Sequence, residues 1–380
     1  MRISRVTVCL VLACLPLIVA GEVEPGPAAL PSQQTKAIGV LVQDALKRFG
    51  APGGTVAVGL DDKVVWAQGF GLADIENGTP ARANTAYRTA SIGKSITATA
   101  AMSLAEQGKL DLDAPIQKYC PRFPVKTKPI LVRDLISHTS GIRHYGGPNE
   151  QAELFNTHHY DHVSDALDIF KDDPLQQDPG SDYLYSTWGY VTLGCVIEGA
   201  TREEFRPFMA HAIFAHAGMT STRDDDPRAI IPNRARGYIR ENGVLLNSRA
   251  VDMSSKMAAG GWITTAPDLV RFMNASMAGR LISPKTLSLM LTPYRVKTGT
   301  IDGFGMGWAL NEFHGLKAGV YGGGTPQVSG IILFIPEKKF SVAALFNLED
   351  IPGDQRVNLM KAIADVVLGY PAENKTTGKK

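Results

Sequence analysis

The stretch Ala90-Ser91-Ile92-Gly93-Lys94-Ser95 lies between a hydrophobic hairpin pattern and a long apolar helical pattern, and its reading decides the fold. Ser91 and Lys94 stand three residues apart, so on a helix their side chains share one face. Two readings compete: a nucleophile with its base, or two polar residues on a solvated helix surface. A serine and a lysine at this spacing form a weak motif, since a chain of this length offers roughly one chance match. The rest of the chain has to decide.

Bulk properties narrow the field. The chain has 380 residues, 44% of them apolar and 20% charged, which argues against disorder and fibrous repeats. It is long enough for one large domain or two. A formal net charge of +2 leaves no electrostatic footprint for nucleic acid or an anionic membrane. At the N-terminus, Arg2 and Arg5 precede an apolar run from Val6 to Ala20 that contains Pro16 and ends in small residues. That layout predicts a secretory signal peptide over residues 1–20, hence a secreted or periplasmic protein with no stable membrane insertion after cleavage. An uncleaved anchor, or lipidation at Cys14, is the alternative. Residues 22–35 read as a Pro-rich linker, and the polar tail beyond residue 370 as solvated chain. Cys9 and Cys14 fall inside the signal, which leaves Cys120 and Cys195. Cys195, in the apolar run Y-V-T-L-G-C-V-I-E, reads as a buried structural thiol. No C-x-x-C pair suggests zinc or redox chemistry.

Apolar periodicity predicts an amphipathic helix over 36–49, closed by Gly50. The runs T-V-A-V-G-L and K-V-V-W-A-Q-G-F-G flank Asp61-Asp62 as a hairpin. The helix opening near Ser91 stops at Gly108, and residues 109–250 carry mainly helical patterns and polar loops. Strand-like G-G-W-I-T-T, G-I-I-L-F-I-P and F-S-V-A-A-L-F-N follow, then a helix from Arg356 to about Leu368. This order predicts an α/β (α+β) fold in one domain over 36–370. An antiparallel sheet flanked by helices is built from both chain ends, with an inserted, mainly helical lobe. A cleft between sheet and lobe is where a site belongs.

A serine hydroxyl is a poor nucleophile until its proton is removed. Lys94 can do that only as a neutral amine, with its pKa well below the ordinary value of about 10.4. Burial would push it that way. Ser91 at a helix N-terminus would also gain from the helix dipole. Tyr185, in Y-L-Y-S-T-W-G-Y (183–190), is a candidate proton relay, though the same aromatic cluster also reads as core. Y-G-G-G-T-P (321–326) precedes a strand, and one of its glycine N–H groups, with that of Ser91, suits an oxyanion hole.

The order S-x-x-K, then Y-S-T, then a Gly-containing strand resembles the serine β-lactamases and penicillin-binding proteins. L-I-S-H-T-S-G-I-R-H-Y (135–145), D-P-L-Q-Q-D-P-G (173–180), N-R-A-R-G-Y (233–238) and A-G-G-W-I-T-T-A-P-D-L (259–269) sharpen this towards the class C-like branch. That branch also holds D-alanyl-D-alanine peptidases, a group of esterases and the animal mitochondrial β-lactamase-like serine proteins. The resemblance spans roughly residues 36–368. It implies Ser91 as nucleophile, Lys94 as its proton acceptor, Tyr185 as relay, and the backbone N–H groups of Ser91 and Gly324 as oxyanion donors. It places Thr187, Tyr321, Gly322 and Gly323 against the substrate and makes His138 structural. It calls for no cofactor or metal.

Two departures bear on substrate. Where the family's third motif usually begins with Lys or His, this chain has Tyr321-Gly322-Gly323, which resembles the esterase group. Thr187 stands where many members carry asparagine. A literal K-T-G at Lys297–Gly299 reads as a loop coincidence, because it does not enter the final strands. T-H-H-Y-D-H (157–162) puts His158 and His162 at i, i+4, but without H-E-x-x-H it reads as a solvated helix start rather than a metal site. Three functions remain in view: a hydrolase of esters or small amides, a β-lactamase or D-alanyl-D-alanine peptidase, and a non-catalytic penicillin-binding or scaffold protein. Retention of Ser91, Lys94 and Tyr185 together favours the enzymes.

Overall fold

The computed structural model describes residues 29–146 and 149–371; the predicted signal peptide and nearly all of the C-terminal tail lie outside the described residues. Helix α1 (Ser32–Phe49) starts four residues before its apolar periodicity does. Its first turn is anchored by Gln34 Nε2, which donates to the Val366 carbonyl at 3.0 Å, so the end of the stretch read as linker is helical. Gly50 closes α1 in the left-handed conformation, φ 65°.

Strands β1 (Gly53–Leu60) and β2 (Lys63–Asp74) form the expected hairpin, with Asp61 and Asp62 at φ 46° and 66° in the turn. Positive φ at both central residues matches the right-handed strand twist, which is why aspartates serve there. A short β3 (Thr79–Pro80) extends this edge. From the other chain end come β4 (Ala309–Phe313), β5 (Leu316–Thr325), β6 (Val328–Ile335) and β7 (Phe340–Phe346). The sheet order is β4-β5-β6-β7-β1-β2-β3, antiparallel throughout, with β7 paired to β1 so that both chain ends share one sheet.

The apolar runs in β6 and β7 mean that both faces of the sheet are covered. In β7, Phe340, Val342, Ala344 and Phe346 join the core under α1 and the C-terminal helix, while Ala343 and Leu345 face the other core. Strand alternation thus sorts one uninterrupted apolar run into two cores. The second core joins the sheet to the lobe through helices α2 (Ile92–Glu106), α3 (Thr187–Thr201) and α4 (Ala266–Met277). The last helix, α5, runs Gly353–Leu368. Between α2 and α4 the lobe also holds short helical turns and a small hairpin, Tyr238–Glu241 with Val244–Asn247.

One expectation fails. Cys195 is not a free thiol: it is disulfide-bonded to Cys120, with Cα atoms 5.5 Å apart. The partners are 75 residues apart and meet only because α3 packs against the turn following Ile116–Lys118. No local spacing signals such a pair.

Candidate active site

Ser91 sits at the N-cap of α2, in a turn forced by Ala90 at φ 46°. A non-glycine residue there costs roughly 1–3 kcal/mol, and such strain is typical of functional turns. The turn is held from both sides. Thr89 N–H donates to the Trp262 carbonyl at 2.8 Å, and a Cβ on Gly260 would lie 2.2 Å from the Ala90 carbonyl oxygen. The A-G-G-W-I-T-T segment is therefore glycine-bearing because the Ser91 turn lies against its backbone. Arg88, buried just upstream, donates to Asp225 at 2.6 Å and to the Pro326 and Val251 carbonyls at 3.0 and 3.1 Å. It thereby ties the Ser91 turn to the loop after β5 and to the lobe.

The Ser91 hydroxyl is not spent on a helix cap. Its Oγ lies 2.7 Å from Tyr185 Oη and 3.0 Å from Lys94 Nζ. Lys94 is 1% exposed; besides Ser91, its Nζ reaches the Ala259 carbonyl at 3.3 Å. Burial lowers its pKa, opposed by the nearby Tyr185 hydroxyl, so the amine is driven towards the neutral form a base requires. The structure brings Ser91, Lys94 and Tyr185 together, with both partners hydrogen-bonded to the Ser91 hydroxyl.

Two histidines fix Tyr185, and one of them escaped sequence reading. His138 Nδ1 accepts the Ser186 N–H at 3.1 Å, and His144 Nδ1 accepts the Thr187 N–H at 3.2 Å. Both rings also pack on the tyrosine, with centroids 4.6 and 5.1 Å away. Accepting at Nδ1 requires neutral imidazoles. Burial lowers both pKa values, that of His144 to about 4. The proton of neutral His138 then sits on Nε2, which faces Tyr321 Oη at 3.3 Å. His138 thus positions Tyr185, through the Ser186 N–H and by ring packing. The signal for His144 was present in S-G-I-R-H-Y, but only contact with the Thr187 N–H distinguishes it from a loop residue.

Strand β5 supplies the opposite wall. Gly322 and Gly324 line the cavity at Ser91, whose volume is about 330 Å³. Gly323 instead lies beneath Ser91: a Cβ there would stand 2.7 Å from the Thr89 carbonyl oxygen and 3.1 Å from Ser91 N. Gly323→Ala is expected to shift the Ser91 N–H and reduce kcat at least about tenfold, since displacements near 1 Å can cost 10²-fold. Steady-state kinetics with a circular-dichroism check on folding tests this. Tyr321 is buried and lines a second cavity of about 360 Å³ with Tyr183, Phe304 and Ile301, on the other side of Tyr185. Thr187 lines the Ser91 cavity from the lobe.

Two cations in that cavity were not identified from sequence, Lys256 and Arg356. Arg356 reaches in from α5 and donates to the Gly323 carbonyl at 2.6 Å and to the Gly330 carbonyl. Other motifs fall elsewhere. Lys297-Thr298-Gly299 turns a small ribbon, where Lys297 N–H donates to the Gly180 carbonyl at 3.1 Å. In T-H-H-Y-D-H the rings diverge: His159 meets Asp252 at 2.8 Å, His162 faces Glu204 at 3.5 Å, and His158 packs on Tyr160. A larger cavity of about 780 Å³, bordered by Leu104, His211 and Ser283, contains none of the three motif residues.

The beta-lactamase family pattern matches residues 41–365. The mitochondrial serine beta-lactamase-like protein LACTB of Mus musculus is 32% identical over 396 residues, covering 77% of this chain and 71% of that protein. Penicillin-binding protein 4* of Bacillus subtilis (strain 168) is 27% identical over 335 residues, covering 84% and 73%. Among solved structures, the octameric penicillin-binding protein homologue from Pyrococcus abyssi superposes with a TM-score of 0.77 at 26% identity, covering 90% of this chain and 79% of that one. With the family pattern spanning both sheet and lobe, the chain belongs to the beta-lactamase family and has its serine-hydrolase fold.

Proposed function

We propose that the protein is an exported serine hydrolase that cleaves ester or small amide bonds through an acyl-Ser91 intermediate. The observation that carries this reading is the triangle of Ser91 Oγ, Lys94 Nζ and Tyr185 Oη, at 3.0 and 2.7 Å from the serine. Ser91 Oγ attacks the carbonyl carbon and gives its proton to neutral Lys94. The oxyanion is held by the Ser91 and Gly324 N–H groups. The leaving group departs with a proton passed through Tyr185, leaving the acyl ester on Ser91. Water, losing its proton to the same groups, then releases the acid and restores the serine.

The apolar cavity beside Tyr185 supports a neutral leaving group, because Tyr321 and Phe304 stand there without a cation among its lining residues. A second reading, action on β-lactams or D-amino-acid peptides, is favoured by one feature: Arg356 offers a positive charge in the Ser91 cavity that Tyr321 does not. Export is supported by the Cys120–Cys195 disulfide, because such bonds persist in oxidising compartments. Initial rates with a p-nitrophenyl ester and a chromogenic cephalosporin, each against Ser91→Ala, decide between the two. Ester turnover alone, lost in the variant, is the expected result. Cephalosporin turnover alone would replace it with the second reading, and no Ser91-dependent turnover of either would sink both.

A further inference from the structure

Among the described residues, the Ser91 cavity is lined by four basic side chains, Lys94, His144, Lys256 and Arg356, and by no carboxylate. Lys94 belongs to the serine, and His144 accepts a backbone N–H in its neutral form. Arg356 is fixed at the sheet, where one arm donates to the Gly323 and Gly330 carbonyls while its Nε is buried without a partner among the described residues. Lys256 comes instead from the turn before Met257. It is 2% exposed, its Nζ donates to the Leu154 carbonyl at 2.7 Å, and it lies 5.2 Å from the centre of the Tyr145 ring. An ammonium has three donors, so two have no partner among the described residues.

The nearest carboxylates are committed elsewhere. Glu153 takes both arms of Arg143 at 2.8 Å, and Asp252 accepts from His159 Nδ1 and the Ser254 N–H at 2.8 Å. A buried amine with one neutral acceptor is costly as wall material, and methionine would fill the space without that cost. What makes the burial useful is an anion arriving from the cavity.

The position of that anion follows from the relay. Tyr185 passes a proton to the leaving group, so the leaving group lies on its side, towards the apolar cavity with Tyr321 and Phe304. The acyl group then occupies the other side, along Thr187, Tyr145, Leu154 and Lys256. We propose that Lys256 is the anion subsite for the acyl half of the substrate, so that favoured substrates carry a carboxylate on the acyl side of the bond cleaved. This rests on acylation of Ser91 as proposed above and specifies the substrate class.

The charge of Lys256 is tunable. Burial and the charge of Arg88 bring its pKa down to about 7, against the opposing pull of Glu153 and Asp252. Its cation is present below that pH and fades above it.

The test compares mono-p-nitrophenyl esters of four- to six-carbon dicarboxylic acids with p-nitrophenyl esters of the matching monocarboxylic acids. The leaving group is constant, and Ser91→Ala supplies the background. The wild-type protein is expected to prefer one of the dicarboxylate esters by about 10- to 100-fold in kcat/KM, the range of a charge-assisted hydrogen bond. Lys256→Met should cut that preference at least about tenfold, mainly through KM, and Lys256→Arg should keep part of it. The wild-type preference should also shrink between pH 6 and pH 8, while the pH dependence of Lys94 cancels in the ratio. Absence of a preference, or a preference unchanged in Lys256→Met, overturns the proposal. If neither ester is turned over, calorimetric titration with glutarate and adipate separates the two ideas. Binding that disappears in a folded Lys256→Met keeps the subsite and rejects ester hydrolysis; equal or absent binding rejects the subsite.

Discussion

Lys94→Met is expected to lower kcat/KM for a p-nitrophenyl ester by about 10³-fold or more, to near the level left by Ser91→Ala. Methionine fits the buried volume of the lysine stem, so the variant removes the base and little else. Because serine and lysine act as a unit, the double variant should lose hardly more than either single one. The pH profile gives an independent sign. Only the neutral amine accepts the serine proton, and burial lowers its pKa, so wild-type kcat/KM should rise as pH climbs through that lowered value. It should level off before an ordinary lysine titrates. Stability runs in a related direction. Between the lowered pKa and the ordinary lysine value the unfolded chain holds a proton that the folded chain does not, which disfavours folding there. Lys94→Met removes that penalty, so its Tm should equal or exceed the wild-type value near pH 7. A variant retaining the rate within tenfold would transfer the role of base to Tyr185.

The elements that place this triangle were legible because they obey local rules. The α2 start follows from Ser91 and the apolar run behind it, the β1–β2 hairpin from Asp61-Asp62 between strands, and the last two strands from their unbroken apolar runs. Ser91, Lys94 and Tyr185 were legible because S-x-x-K and Y-S-T are short and ordered. What escaped is what three dimensions assemble. His144 lies 43 residues before the Thr187 N–H it accepts, and Arg356 lies 33 residues beyond the Gly323 carbonyl it donates to. Lys256, in M-S-S-K-M, has the flanking pattern of an ordinary helical turn, and only its burial beside the Ser91 cavity distinguishes it. This changes the argument from Tyr321. The missing lysine or histidine of the third motif does suggest a neutral leaving side, but it cannot describe the charge of the whole cavity, because that charge comes from α5 and from the turn before Met257.

Removing the disulfide, by Cys120→Ser with Cys195→Ser, is expected to lower stability by about 4 kcal/mol, with a drop in Tm of roughly 5–10 °C. The bond closes a loop with a sequence separation of 75 residues, and cross-linking so long a segment removes much of the unfolded chain's entropy. Its location adds a functional consequence. His138, His144, Tyr185 and Thr187 all lie between Cys120 and Cys195, so the closed loop contains Tyr185 and both histidines that position it. Opening it should loosen that wall before the sheet unfolds, because the sheet is built from segments outside the loop. Ester kcat should therefore fall in the reduced protein at temperatures where circular dichroism still reports intact strands. Ser91 is held by the Thr89–Trp262 bond and the packing of Gly260, neither of which the disulfide spans, so its turn should persist. Differential scanning calorimetry with and without reductant measures the first effect, and initial rates across the same temperatures measure the second. An unchanged Tm in the double serine variant would show that packing of α3 alone holds the lobe. Activity and Tm falling strictly together would show that lobe and sheet unfold as one unit.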